Sequence, residues 1–262
     1  VLPLGGRLRP DMLAVISDLH LERPQEPAAL AFSALLDELS TRQCTGLYIL
    51  GDLFEAWVGD DEDSEIAEWT RAQLRRVVAA GVRVELIVGN RDFLIGSGFA
   101  AQTGVRVVAE PLQLQVGGRR LGMVHGDTLC TEDHAYLKLR QQLRDPAWQA
   151  AFLAQPLAAR RAFAAKAREA SRMHTASAAQ SIMDATADGV LSCMQSIGCE
   201  LLIHGHTHRP ALHAGAAPRI VTGDWHAARS VLWLDQASGL CLEAHGQHCR
   251  ANLADLLGAS IA

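Results

Sequence analysis

Short apolar runs alternate with longer amphipathic stretches in the first third of the chain. Residues 12–17, 47–50 and 82–88 are largely apolar and have the length expected of buried strands. Residues 27–41 and 62–80 repeat apolar side chains close to every 3.6 positions, which predicts two helices. The order strand, helix, strand, helix, strand is typical of an α/β fold with a parallel or mixed sheet.

Short strands return in two later parts of the chain. They are predicted over residues 105–108, 112–116, 121–124, 219–222, 230–234 and 240–243. The C-terminal tail that follows carries no clear pattern. The sheet structure therefore continues on both sides of a long segment of different texture.

That segment, residues 133–198, is rich in Ala, Gln and Arg at helical spacing and has almost no strand signal. Pro146 and Pro156 divide it into several helices. We therefore predict a helical cap that is inserted into a core formed by residues 1–132 and 199–262.

The cap combines basic and apolar side chains. Between Pro146 and Gln180 one acid, Glu169, stands against five bases, Arg160, Arg161, Lys166, Arg168 and Arg172. They form either a solvated helix face or a contact with an anionic substrate or lipid surface. The large apolar residues, which either pack the cap itself or offer surface to an apolar ligand, are Trp148, Phe152, Leu153, Leu157 and Phe163.

Composition excludes several classes of protein. The formal charge of the 262 residues is −5, so no general basic field for nucleic acid exists. Six cysteines are scattered without a paired motif, which favours reduced thiols. No secretion signal is evident, and no apolar run approaches the ~18–20 residues of a spanning helix. We expect a soluble, cytoplasmic protein without an evident obligate protein partner.

Candidate metal ligands follow five apolar runs where each run ends. They are Asp18 and His20, then Asp52, then Asn90, then His125, and finally His206 and His208. Residues two apart on an extended chain face the same way, so each pair points to one place. In α/β sheets, sites form beyond the carboxyl ends of the strands. Each residue alone fits a turn or a cap, but the repetition predicts a shared site.

The predicted ligand set contains oxygen and imidazole nitrogen without thiolate, which suits Mn, Fe, Zn or Co. Seven ligands exceed the need of one ion and match two ions that share a carboxylate. We assign Asp18, His20 and His208 to one ion, Asn90, His125 and His206 to the other, and Asp52 to both. Such a pair, ~3.5–4 Å apart, activates water and clamps a phosphoryl oxygen. Hydrolysis of a phosphoester or phosphoanhydride is the implied chemistry.

Arg91 follows a predicted ligand and is always protonated, so we expect it to stabilise charge on the substrate. The alternative is a structural salt bridge with Asp92. Neither a Walker loop, a dinucleotide fingerprint nor a nucleophile elbow is present. The predicted catalytic residues are therefore Asp52, Asn90, Arg91 and His125, with no protein nucleophile.

Five motifs together resemble the calcineurin-like metallophosphoesterase superfamily. They are Asp18-Leu19-His20, Gly51-Asp52, Gly89-Asn90, His125-Gly126-Asp127 and Gly205-His206-Thr207-His208. In most of that superfamily a His follows the Asn of the third motif, whereas Arg91 stands here. With the stretches 51–61, 89–94 and 125–131, this Arg resembles one branch, the UDP-2,3-diacylglucosamine diphosphatases of lipid A synthesis in Gram-negative bacteria.

The resemblance implies a fold of mixed sheets in a sandwich flanked by helices, with a helical lid. It also implies Mn-dependent attack of water at the α-phosphate, a cap cleft for acyl chains and peripheral contact with the cytoplasmic face of the inner membrane. The substrate contacts that it implies are Asn90, Arg91, Asp133, Ser171, Thr175 and His206. The chain departs from the branch at Thr175, where Asn is frequent, and at Ala178, where Lys is common.

Two other functions stay open at this stage. One is a cyclic-nucleotide phosphodiesterase or phosphomonoesterase on the same scaffold, against which Arg91 and the cap both argue. The other is a metal-binding scaffold without turnover, against which the complete set of predicted ligands argues.

Overall fold

The computed structural model describes residues 12–177, 182–226, 228–235 and 239–258, with the side chains of residues 174–177 excepted. The strands are β1 (Met12–Ile16), β2 (Cys44–Leu50), β3 (Arg83–Ile87), β4 (Arg106–Val108), β5 (Leu112–Val116), β6 (Arg119–Val124), β7 (Leu201–His204), β8 (Ala211–His213), β9 (Arg219–Val221), β10 (Val231–Asp235), β11 (Gly239–Ala244) and β12 (Gln247–Ala251). The helices are α1 (Pro27–Thr41), α2 (Glu65–Ala79), α3 (Ser97–Thr103), α4 (His134–Leu143), α5 (Pro146–Leu153), α6 (Leu157–Ser177), α7 (Ala187–Ile197) and α8 (Leu253–Leu256).

The strands form two mixed sheets. The seven-stranded sheet has the order β12-β11-β10-β1-β2-β3-β4, and the five-stranded sheet has the order β5-β6-β7-β9-β8. Strands β1 to β4 are parallel because helices α1, α2 and α3 connect them, whereas β10 pairs antiparallel with β1. The predicted α/β class with mixed sheets is confirmed.

The two sheets pack face to face, and strand periodicity decides which residues meet. Leu13 and Val15 of β1 belong to the core between the sheets, together with Ile203 of β7. Ala14 and Ile16, which alternate with them, belong to the core between the larger sheet and its helices. Successive side chains of a strand point to opposite faces, so one continuous apolar run serves both layers.

Helix α7 covers the outer face of the five-stranded sheet. Val190 and Met194 of this helix pack against Val124 of β6 and Leu202 of β7. Although the sequence places α7 inside the cap, its contacts are those of an outer layer of the sandwich. The division into core and cap at residues 133 and 198 stays a prediction.

Ion pairs join the cap to the loop between β2 and α2. The buried guanidinium of Arg160 pairs with Asp61 and donates to the carbonyl oxygen of Val58 at 2.6 Å. Arg161 pairs with Glu62 and Asp63. Arg160 therefore does not lie on a solvated face, and Arg161, although exposed, is engaged by carboxylates, so both bases hold α6 against the core.

Several elements escaped the sequence prediction. They are α3, β8, β12 and α8, all of them short. All six cysteines are free, as predicted. Among the described residues, no helix has both the length and the apolar character needed to cross a membrane.

Candidate metal centre

The loops that follow β1, β2 and β7 hold five polar residues in the left-handed backbone region. The φ angles are 55° at Asp18, 51° at His20, 52° at Asp52, 65° at His206 and 56° at His208. Each such residue costs about 1–3 kcal/mol and persists only where surrounding contacts enforce it. The strained backbone of these five residues therefore marks one site, at which the fold imposes the direction of the side chains.

Backbone hydrogen bonds and close approach fix these loops to each other. Asp18 N donates to Gly51 O at 3.1 Å, and His20 N donates to Asp52 O at 3.0 Å. A Cβ at Gly89 would collide with the carboxylate and the amide nitrogen of Asp52. Glycine at position 89 is thus required for the third loop to reach the second.

A first cluster consists of Asp18, His20 and His208, whose ligand atoms lie within 4.8 Å of one another. His20 Nδ1 lies 2.9 Å from Glu55 Oε2, and His208 Nδ1 lies 3.3 Å from Asp224 Oδ2. A carboxylate on one ring nitrogen sets the orientation and the tautomer of a ligand histidine. Both rings consequently aim Nε2 at the centre of the cluster.

Nitrogen and oxygen lone pairs converge at the centre of this cluster. His20 Nε2 and His208 Nε2 are 3.2 Å apart, and Asp18 Oδ1 lies 3.5 Å from His208 Nε2. If both Nδ1 atoms donate to carboxylates, two lone pairs face each other beside a buried anion. Protons or a cation must occupy such a place, because unscreened lone pairs repel at this distance.

A second cluster surrounds Asn90. Its Oδ1 lies 2.9 Å from His125 Nε2 and 2.9 Å from His206 Nδ1. His125 Nδ1 lies 2.8 Å from Leu50 O, which leaves Nε2 directed into the site. Asp52 stands between the clusters, with Oδ1 3.8 Å from His125 Nε2 and Oδ2 3.8 Å from His20 Nε2.

The electrostatics of the site follow from burial and from the carboxylates. Burial opposes the charged form of His208, but hydrogen bonds to Asp18 and Asp224 outweigh it and raise its pKa to about 10. Burial is likewise outweighed at His125, whose pKa is raised to about 9 by nearby carboxylates, Asp52 first. At His206 burial, with the positive charge of His125, outweighs the nearby carboxylates and lowers the pKa to about 4. The clusters therefore attract positive charge.

This donor set fits two divalent cations. Carboxylate oxygens, an amide oxygen and four imidazoles converge from five loops, and the described residues supply no thiolate to either cluster. Glu55 and Asp224, which orient the imidazoles, were missed by the sequence analysis. Glu55 lies three residues after Asp52, but nothing near Asp224 in the sequence marks it.

Arg91 does not form the alternative salt bridge with Asp92. The buried carboxylate of Asp92 instead accepts hydrogen bonds from Gly89 N and Leu53 N, both at 2.7 Å. Arg91 N donates to Asp52 Oδ1 at 2.8 Å, and its guanidinium lies 3.4 Å from Ser171 Oγ on α6. Its side chain thus points into the gap between the core and the cap.

Of the three further residues that were predicted to contact the substrate, two line the cavity over the clusters. Asp133 caps α4 by accepting a hydrogen bond from Tyr136 N at 2.9 Å, and it lines the cavity over the clusters. Ser171 lines the same cavity from α6. The side chain of Thr175 and all of Ala178 lie outside the described residues.

An apolar cleft continues from this cavity under the cap. Asn90, Arg91, Tyr136 and Ser171 line both spaces. The cleft runs between core and cap, where Trp148 stacks on Phe152 with ring centroids 4.9 Å apart. Trp148, Phe152 and Phe163 pack against each other and also form part of the wall, whereas Leu153 and Leu157 do not line the cleft.

A sandwich of two mixed sheets, with clustered carboxylates and imidazoles beyond the carboxyl ends of its strands, defines a metal-dependent phosphoesterase. The profile of the calcineurin-like phosphoesterase family matches residues 12–210. The chain belongs to this family.

Curated relatives narrow the likeness further. A protein of Cellvibrio japonicus (strain Ueda107) named UDP-2,3-diacylglucosamine hydrolase is 47% identical over 80% of this chain and 90% of its own. A protein of the same name from Xanthomonas oryzae pv. oryzae (strain PXO99A) is 46% identical over 87% of this chain and 96% of its own. The likeness therefore spans both the core and the cap.

Proposed function

We propose that this protein hydrolyses the diphosphate bond of UDP-2,3-diacylglucosamine, giving UMP and 2,3-diacylglucosamine 1-phosphate, a step of lipid A biosynthesis. One observation carries the proposal: the apolar cleft opens into the cavity over the two clusters. A substrate that is anionic at one end and doubly acylated at the other fits such a pair of connected spaces. The names of the relatives support the same substrate.

Two divalent cations, for which we propose Mn²⁺, would be held by the side chains of the clusters. Asp18, His20 and His208 would bind one ion, Asn90, His125 and His206 the other, and Asp52 both. Bound there, the ions supply a Lewis acid for the phosphoryl oxygens and lower the pKa of a bound water. Glu55, Asp224 and the carbonyl of Leu50 hold the imidazoles in the required orientation.

Arg91 would bind the phosphoryl oxygens with its guanidinium. Its backbone nitrogen is tied to Asp52, so the side chain starts from a fixed point beside the clusters. A preorganised cation that faces developing negative charge lowers the barrier without reorganisation. The catalytic set that we propose is Asp52, Asn90, Arg91 and His125.

The remaining substrate contacts would come from both sides of the gap. We propose Asn90, Arg91 and His206 on the core, and Asp133, Ser171 and Thr175 on or beside the cap. The hydroxyl of Ser171 reaches Arg91 across the gap, which supports a ligand held between core and cap.

We also propose that the cap of this cytoplasmic enzyme touches the inner membrane. Four large apolar side chains of the cap are exposed to solvent, namely Leu139, Leu153, Phe163 and Met173. They lie on α4, α5 and α6, the helices that form the cleft. A lipid substrate could then enter the cleft from the bilayer without crossing water.

Hydrolysis by chelator-stripped protein, with and without Mn²⁺ in ¹⁸O-enriched water, tests the function. Mn-dependent release of UMP that carries the label is the expected result, because water attacks the α-phosphate. Label in the sugar phosphate would contradict the site of attack. Absence of turnover, with retained activity on an aryl phosphodiester, would overturn the lipid substrate.

Cosedimentation with anionic phospholipid vesicles tests the membrane contact. Replacing Leu153 and Met173 together by Gln should reduce the bound fraction, since both side chains leave water on insertion. Leu30→Gln is the matched control because Leu30 is equally exposed but lies on α1 of the core. Equal loss in both proteins, or none, would contradict the contact.

A further inference from the structure

A second cavity adjoins the metal centre. It has a volume of about 320 Å³, and it shares Thr207, His208 and Arg209 with the cavity over the clusters. It shares no lining residue with the apolar cleft. The clusters therefore adjoin two separate spaces, one lined largely by aromatic and aliphatic side chains and one whose lining includes histidine and arginine side chains.

The floor of this cavity is the edge of the five-stranded sheet. His213 of β8 and Arg219 of β9 are directly opposite in the antiparallel ladder, so their side chains stand on the same face. Leu212 and Ile220, which alternate with them, face the core between the sheets. The polar pair is thus held on a rigid hairpin and does not depend on a loop.

The charge of the cavity favours an anion. Two guanidinium groups, those of Arg209 and Arg219, stand against one carboxylate, that of Asp184, and three imidazoles complete the polar part of the lining, namely His208, His213 and His245. Arg209 is engaged by Asp184 in an ion pair. Arg219, which forms no ion pair among the described residues, keeps a buried Nε without a hydrogen-bond partner there. Buried donors are normally paired, so an unpaired one points to a ligand.

We propose that this cavity, which we call the Arg219 pocket, binds the nucleotide half of the substrate, a pyrimidine ribonucleoside 5′-phosphate. The inference rests on the proposed function and deepens it. The acyl chains occupy the cleft, and the diphosphate lies over the clusters. The nucleotide must then extend from the metal centre in another direction. The Arg219 pocket adjoins the centre at His208.

A groove beside His20 and Trp225 is the other space on that side. It is lined by Glu22, Glu26 and Glu55 together with Arg23, Arg91 and Arg172. Three carboxylates balance three guanidinium groups there, so the groove carries no excess of positive charge for a phosphorylated ligand. The Arg219 pocket, with two guanidinium groups and one carboxylate, is the better match to the charge of the ligand.

Product inhibition of the Mn-loaded enzyme tests the pocket. UMP, inorganic phosphate and 2,3-diacylglucosamine 1-phosphate are compared as inhibitors of hydrolysis of the lipid substrate. UMP should inhibit wild type more strongly than phosphate, because phosphate lacks the nucleoside that the pocket would hold. In Arg219→Ala the inhibition constant of UMP and the KM should rise about tenfold, as expected for loss of a charge-assisted contact. The constants of phosphate and of the acylated product should stay unchanged.

Two further variants separate binding from folding. His213→Ala removes the cross-strand neighbour of Arg219 and should also weaken inhibition by UMP. Arg219→Lys should regain part of the UMP inhibition that Arg219→Ala loses. Arg250→Ala, an exposed substitution on β12, is the control and should change no constant.

Equal inhibition of wild type by UMP and phosphate would overturn the Arg219 pocket. So would unchanged UMP inhibition in both Arg219→Ala and His213→Ala while wild type cleaves the lipid substrate. A wild type that does not cleave that substrate would instead overturn the proposed function, and the inference with it.

Discussion

His20 Nε2 and His208 Nε2 lie 3.2 Å apart although 188 positions separate the two residues in the chain. Each ring is turned inward by a carboxylate on its other nitrogen, Glu55 for His20 and Asp224 for His208. Two imidazoles oriented in this way leave room for a cation or for protons between them. Replacement of these protons by a bound cation leads to the first prediction.

Metal binding at pH 7 should release protons. The raised pKa values of His208, about 10, and His125, about 9, mean that both rings are protonated without metal, whereas ligands must be neutral. His206, with a pKa of about 4, contributes no proton. Affinity should thus rise with pH up to about 10, the higher of the two pKa values, and fall as pH drops.

Calorimetric titration with Mn²⁺ in buffers of different ionisation enthalpy measures this release. His208→Gln should release about one proton fewer than wild type, because one titrating ring is gone. An observed enthalpy that is independent of the buffer would contradict protonated rings in the metal-free protein.

Asp52→Ala should lower kcat at least about a thousandfold, because the shared carboxylate is lost from between the clusters. Metal content should fall as well, measured by elemental analysis after gel filtration. Circular dichroism of the variant checks that the fold is retained. A folded variant that keeps both metals and its turnover would contradict the assignment of Asp52 to both ions.

Arg91→Ala should lower kcat about a hundredfold while metal content stays that of wild type. The reason is that only its backbone nitrogen contacts Asp52, so the ligand keeps this hydrogen bond. Arg91→Lys retains the charge without the planar fork and should recover part of the rate. Parallel loss of metal and activity would show a structural role in place of charge stabilisation.

Arg160→Ala should destabilise the protein by about 2 kcal/mol, because a buried guanidinium that serves Asp61 and two backbone carbonyls is removed. Urea unfolding measures the change. Arg172→Ala is the matched control on the same helix, since its pair with Glu169 is exposed, and it should leave stability unchanged. Equal effects of both substitutions would contradict a specific attachment of the cap.

The motifs of the site were visible in the sequence, but their supports were not. Each predicted ligand follows an apolar run, and this local pattern can be recognised without any tertiary information. Glu55 and Asp224 act on the imidazoles through contacts across the fold. Asp92 resembles a salt-bridge partner of Arg91 in the sequence, yet its carboxylate serves two backbone amides. Such pairings depend on loop geometry, which spacing does not encode.

Periodicity was sufficient for long elements and insufficient for short ones. The predicted helix 27–41 coincides with α1, because fifteen residues repeat their apolar positions over four turns. Strand β8 has three residues and α8 has four, too few for a period to appear. Arg160 and Arg161 of the cap show the same limit, because their acidic partners lie 99 positions away in the chain.

The sequence alone determined the order of the longer elements, the helical texture of residues 133–198 and the residue types at the end of each strand, because all of these depend on neighbours along the chain. Tertiary structure alone decided which carboxylates orient the imidazoles, how α6 is held to the core, and that two separate cavities adjoin one centre. Those features depend on distances between residues remote in sequence, and distances of this kind are set only when the sheets and helices pack.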